Sequence, residues 1–117
     1  MLPVYNEADS IGAVLGEVRE AAERLRLGGV STAVVVVDDE SPDGTGAVAT
    51  AAAQQLGLEM VLVGGKKQGL GAAMLRGFDA ALALAPHGIV TLDGDGQHNP
   101  ADIPTLYRAF VARHADV

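Results

Sequence analysis

Ala33-Val34-Val35-Val36-Val37-Asp38-Asp39-Glu40-Ser41-Pro42-Asp43-Gly44-Thr45 is the stretch that decides the fold. Its first five residues form a nearly unbroken β-branched run. A strand with one wet face alternates apolar and polar residues, and this run does not. It suits a strand buried on both faces, as in a parallel sheet with helices on each side. The run ends at two acids. Ser41 to Thr45 then has the composition of a turn that leads into a helix.

The same alternation extends outward in both directions. Upstream, Ile11, Val14, Leu15, Val18, Ala22 and Leu25 recur at helical spacing, which predicts an amphipathic helix from Ser10 to Leu27. Asp9 or Ser10 can cap its start and Gly28-Gly29 its end. Met1-Leu2-Pro3-Val4 reads as the tail of a first, short strand. Downstream, a helix of small residues runs to Leu56 and stops at Gly57. Met60 to Val63 is a third strand, followed by a glycine- and lysine-rich loop from Gly64 to Gly69. A helix from Ala72 to Leu84 ends near Pro86. Ile89 to Leu92 is a fourth strand running into Asp93-Gly94-Asp95-Gly96. Pro100 fits the first turn of a last helix, to about Arg113. The predicted architecture is α/β: a mainly parallel sheet with helices on both faces, in one domain over residues 1–117 that is incomplete at both ends.

Composition narrows the function. The chain has 117 residues, a formal net charge of −7 and 15 acids against 8 bases. No basic face is available for nucleic acid. Cysteine is absent, which removes disulfides and thiolate metal sites. No apolar run reaches the roughly 18 residues of a membrane span, and no basic-then-apolar leader opens the chain. The expected location is the cytoplasm, with any membrane association peripheral and at the inner face.

Three polar groups fall at the carboxyl ends of predicted strands: Asn6-Glu7, Asp38-Asp39 and Asp93/Asp95. Ligands of open parallel sheets bind beyond that edge. In Asp93-Gly94-Asp95 two hard oxygen ligands stand two residues apart, and the glycine lets a ligand approach the backbone. Mg²⁺ or Mn²⁺ takes such carboxylates together with phosphate oxygens and water. Each group also has a plainer explanation. Asp38 and Asp39 can simply start a turn, Asp43 can cap the next helix, and Ser41 and Thr45 can be turn and cap residues. Lys66-Lys67 can meet a phosphate, but solvation is the ordinary fate of charged loop residues. His98 and Gln97 say little alone. Neither a Gly-x-Gly-x-x-Gly turn nor a Gly-x-x-x-x-Gly-Lys-Ser/Thr loop exists, which weighs against nicotinamide dehydrogenases and P-loop enzymes.

Together the motifs are more specific than any one of them. Leu2-Pro3-Val4-Tyr5-Asn6-Glu7 and Val36-Val37-Asp38-Asp39-Glu40-Ser41-Pro42-Asp43-Gly44-Thr45 resemble the opening of family-two glycosyltransferases. Gly69-Leu70-Gly71-Ala72-Ala73 through Arg76-Gly77-Phe78 resembles their next motif. Leu92-Asp93-Gly94-Asp95-Gly96-Gln97-His98-Asn99-Pro100 resembles their metal motif. Order and spacing match along nearly the whole chain. The Ser-Pro-Asp-Gly-Thr form and the Gln-His-x-Pro continuation are most similar to the dolichyl- or polyprenyl-phosphate mannosyltransferase branch, although family members often carry alanine where Gly94 stands and a larger apolar residue where Gly96 stands.

That resemblance implies the nucleotide-sugar-binding half of a GT-A, Rossmann-like fold, apparently truncated. It implies inverting hexosyl transfer from a nucleoside-diphosphate sugar of the GDP-mannose or UDP-glucose type to a polyprenyl or dolichyl phosphate at the membrane surface. Pro3, Tyr5, Glu7, Val37 and Asp39 would contact the nucleoside. Asp93, Gly94, Asp95 and Gln97 would meet the diphosphate. Asp93, Asp95 and Gln97 would hold Mg²⁺ or Mn²⁺, with Asp93 and Asp95 the catalytic pair. The competing expectation is a non-catalytic module, either a nucleotide-binding fragment or a partner-binding piece of a split transferase. A nucleotidyltransferase also uses acids on an α/β sheet, but its basic, glycine-rich N-terminal loop is not present.

Overall fold

A computed structural model of the chain describes residues 1–92 and 99–114. Strands β1 (Leu2–Val4), β2 (Val34–Asp38) and β3 (Met60–Gly64) form one sheet in the order β1-β2-β3. Both pairings are parallel, with Leu2 opposite Val36 and Val36 opposite Leu62. The helices are α1 (Ala8–Leu27), α2 (Thr45–Leu56), α3 (Leu70–Leu82) and α4 (Ile103–His114), the last preceded by a 3₁₀ turn at Pro100–Asp102.

The valine run does what its composition requires. Val34 to Val37 are all buried, because β2 is central and both its faces are covered. Side chains alternate across a strand. Val34 and Val36 therefore join Leu2, Val4, Ile11, Leu15 and Ala49 in the core under α1 and α2. Val35 and Val37 join Met1, Ala73 and Ala81 in a second core under α3. The mixed exposure of β3, where Leu62 is 44% exposed, follows from its place at the sheet edge.

Close helix–sheet approach explains the small residues. Gly77 of α3 faces Met1 and Val37, and a Cβ at position 77 would lie 2.8 Å from Val37 Cγ2. A Cβ at Gly46 of α2 would lie 2.6 Å from Asp38 Oδ2. Gly57 ends α2 in the left-handed conformation at φ 68°, as its place after Leu56 predicts.

Two sequence expectations need correction. The first helix starts at Ala8, and neither Asp9 nor Ser10 caps it; its first amides are bonded to another loop, described below. The segment Ile89–Leu92 is not a regular strand. It does pair in parallel with the free edge of β1: the Met1 amine donates to Val90 O at 2.7 Å, and Leu92 N donates to Met1 O at 3.0 Å. Two bonds are too few for a ladder. Burial pushes the Met1 amine down to about 6.

This pairing fixes the topology. From β1 the chain steps through β2 to β3, with α1 and α2 on one face. It then crosses by α3 on the other face to the far side of β1. The winding reverses beside β1, and in doubly wound sheets the ligand crevice opens at that reversal, beyond the carboxyl ends of the strands.

Candidate donor site at the switch point

Tyr5, Asn6 and Glu7 leave the carboxyl end of β1, and Asp38 to Thr45 leave that of β2. Three successive amides of the first loop donate to three side chains of the second. Asn6 N bonds Ser41 Oγ at 3.0 Å, Glu7 N bonds Thr45 Oγ1 at 2.9 Å, and Ala8 N bonds Asp43 Oδ2 at 3.0 Å. These bonds satisfy amides at the start of α1 that no helical carbonyl can reach. Asp43 also accepts from Thr45 N at 3.0 Å and from the Thr45 hydroxyl. The Thr45 hydroxyl first, and the Ala8 and Thr45 amides after it, hold the Asp43 carboxyl below its ordinary value, against a smaller opposing effect of desolvation.

Ser41, Asp43 and Thr45 thus tie the two loops into one unit. The cap residue of α2 is Gly44 rather than Asp43, and the Asp43 carboxylate instead accepts from the first amide of α2 and, across loops, from that of α1. Asn6 and Glu40 take up positive φ, at 53° and 54°. Non-glycine residues seldom do so without surrounding structure to hold them, and here both stand in the tied loops.

The two adjacent acids separate into different jobs. Asp38 is architectural: Oδ1 accepts from Ser41 N at 3.1 Å and from the Ser41 hydroxyl, and Oδ2 accepts from Gly46 N at 3.0 Å. Asp39 is 7% exposed and lies on the α3 side, where the Arg76 guanidinium donates to Oδ1. Arg76 packs against Gly65, where a Cβ would meet its Nε at 2.6 Å. Its Nε is buried without a hydrogen-bond partner among the described residues. Arg76 stands in the motif from Gly69 to Phe78 with no local signal of a role, and its link to Asp39 spans elements that no local pattern connects.

The other expected contact residues are placed as follows. Tyr5 and Glu7 are half-buried at the switch point, and Pro3 is half-buried on β1. The Lys67 ammonium lies over the Tyr5 ring, 3.7 Å from its centre, so Lys67 is more than a solvated loop charge. Val37 is fully buried, with its side chain against Gly77. Asp93, Gly94, Asp95 and Gln97 lie outside the described residues. On either side of them, Leu92 is buried beside Met1, and Asn99 accepts Ala101 N at 3.0 Å to cap the 3₁₀ turn. Among the described residues no three His, Asp or Glu side chains gather to hold a metal.

A cleft of about 450 Å³ lies elsewhere. It is lined by Val18, Leu25, Val34, Pro86, Val90 and Tyr107, at the amino ends of the strands. It contains none of the expected site residues, and chemistry and topology both favour the opposite edge. No described helix is long and apolar enough to cross a membrane.

The chain is of the parallel α/β class, with tied loops and an acid–arginine pair at its switch point. The glycosyl transferase family 2 model matches residues 1–117, and the chain belongs to that family. It is 38% identical over its whole length to an undecaprenyl-phosphate mannosyltransferase of Micrococcus luteus, of which it covers 44%. It is 36% identical, over 96% of its length, to a polyprenol monophosphomannose synthase of Mycolicibacterium smegmatis, of which it covers 40%. A dolichol-phosphate mannosyltransferase of Pyrococcus furiosus is 33% identical over 94% of the chain, which covers 29% of it. The chain therefore spans less than half the length of these relatives.

Proposed function

We propose that residues 1–117 bind the nucleoside-diphosphate sugar of an inverting glycosyl transfer to a polyprenyl or dolichyl phosphate, at the cytoplasmic face of a membrane. The observation that carries this reading is the division of labour at the switch point. Ser41, Asp43, Thr45 and Asp38 are occupied in building the loops, while Arg76 bonds Asp39 at the same carboxyl edge that carries Tyr5 and Glu7. Asp39, Tyr5 and Glu7 are offered to the nucleoside, with Pro3 beside them. Val37, whose side chain fills the core, supports them from beneath. The named relatives act with polyprenyl or dolichyl phosphates, which is the support for the acceptor class.

Asp93 and Asp95, with Gln97, would hold Mg²⁺ or Mn²⁺. Two carboxylates and an amide oxygen are a hard donor set that fits either ion, and Gly94 leaves room for a diphosphate at the backbone. When bound, the cation offsets the charge that develops on the departing diphosphate. An ionised phosphate acceptor is already nucleophilic near neutral pH and asks little of a general base.

Calorimetric titration of the 117-residue chain with GDP-mannose and UDP-glucose tests this reading. One of the two should bind in Mg²⁺ or Mn²⁺, and a chelator or Asp95→Asn should weaken it roughly ten-fold or more, the loss of one charge-assisted contact. Equal affinity with and without the chelator would remove the metal from the account.

A second reading is a module that binds donor and transfers nothing. Passage of labelled sugar to a polyprenyl phosphate in vesicles by this chain would exclude it.

A further inference from the structure

Lys67 is the least explained charge at the switch point. Its ammonium covers the face of Tyr5, the one aromatic ring in the tied loops. The other cations are committed or distant. Arg19, Arg24 and Arg26 lie on α1, Arg108 and Arg113 on α4, and Arg76 is bonded to Asp39. Among the described residues, only Lys66 and Lys67 bring positive charge to the carboxyl edge without a carboxylate partner. An arriving diphosphate meets Asp39 and Glu7 there and needs a cation that can move.

We propose that Lys67 is a displaceable placeholder. It holds the Tyr5 face until the donor's base takes it, and it then carries its charge to the diphosphate. This rests on the reading of Tyr5 as part of the donor site. A base and an ammonium cannot share one ring face. Stacking of a base on an aromatic ring outweighs a cation–π contact at an exposed site, so the exchange runs toward the nucleotide. Lys67 is exposed and releases no buried charge on leaving. Its four-carbon stem is flexible, and Gly69 lets the end of the loop adjust at little steric cost. Gly69 already stands at φ 96°.

The test compares uncharged nucleosides with their diphosphates: uridine with UDP and guanosine with GDP, titrated by NMR into the 117-residue chain, Lys67→Met and the matched charge control Lys66→Met. In the wild type the Lys67 Cε protons should be shifted upfield by the Tyr5 ring and return to ordinary values at saturation with UDP or GDP. Lys67→Met should bind the nucleoside about two- to five-fold more tightly, since a competitor for the ring is gone. It should bind the diphosphate about three- to ten-fold more weakly, since a charge-assisted contact is lost. Lys66→Met should leave nucleoside binding unchanged. Unchanged or weakened nucleoside binding in Lys67→Met, or an upfield shift that persists at saturation, would overturn the placeholder and leave the donor site standing. Failure of the wild type to bind any of the four ligands would overturn the donor-site reading and the placeholder together.

Discussion

Arg76→Met should lower the stability of the chain by about 2–3 kcal/mol and weaken nucleotide binding by more than ten-fold. The pair it breaks is unequal in exposure: the Asp39 side chain is 9% exposed and that of Arg76 is 25%. Removing one partner of a buried pair costs roughly 3–5 kcal/mol, mainly because the other charge stays behind in low dielectric. The partial exposure of Arg76 lets water reach the site, which brings the expectation below that range. Methionine keeps most of the packing against Gly65, so the loss reports the charge. Asp39→Asn added to Arg76→Met removes the stranded charge and should recover more than half of the lost stability. It should not recover binding, because asparagine does not present the same acceptor pair. Urea denaturation of the wild type, both single variants and the double variant measures the coupling. A single-variant loss below about 0.5 kcal/mol would show that water, rather than Arg76, satisfies Asp39.

Gly77→Val should be the more damaging change to the fold, at about 3 kcal/mol or more. Even a first carbon at this position would lie 2.8 Å from Val37 Cγ2 and press on Met1. Valine adds two more carbons on a stiff β-branched centre, and the packed strand behind it cannot retreat. The same helix supplies the control. Gly71 has nothing within 4 Å of an added Cβ, so Gly71→Ala should stabilise by roughly 0.5–1 kcal/mol through helix propensity. Thermal unfolding should show opposite shifts in the two variants. A Gly77→Val chain as stable as the wild type would mean that α3 does not pack on β2 as described.

The valine run shows what a single sequence makes legible. Burial of Val34 to Val37 on both faces, parallel pairing and helices on each side all follow from composition and period. Helix starts and the fourth strand were less legible. The start of α1 is set by Ser41, Thr45 and Asp43, which reach it from another loop, so the local cap signal at Asp9 and Ser10 misplaces it by two residues. Ile89 to Leu92 carries a strand composition, but ladder formation depends on how much partner strand lies beside it, and the two bonds observed both involve Met1.

The candidate site divides the same way. Asp38 and Asp39 are one residue type at adjacent positions, and only the alternation of the strand separates them. Asp38 follows Val36 toward α2, and Asp39 follows Val37 toward α3. Their partners Gly46 and Arg76 could be named only once the helices were placed. The contact of Lys67 with Tyr5 joins loops on opposite sides of β2, and nothing in either loop's composition announces it.

The central claim is that a donor nucleotide sits at the carboxyl edge of the sheet, at the reversal beside β1. Amide chemical-shift mapping of the ¹⁵N-labelled chain during titration with UDP and GDP in Mg²⁺ tests it most directly. The account predicts saturable perturbations, for at least one of the two, at residues 5–7, 37–40 and 93–97, with the apolar cleft at the amino ends of the strands unchanged. Perturbations centred on that cleft, around Val18, Leu25 and Val90, or no saturable change with either nucleotide, would contradict it.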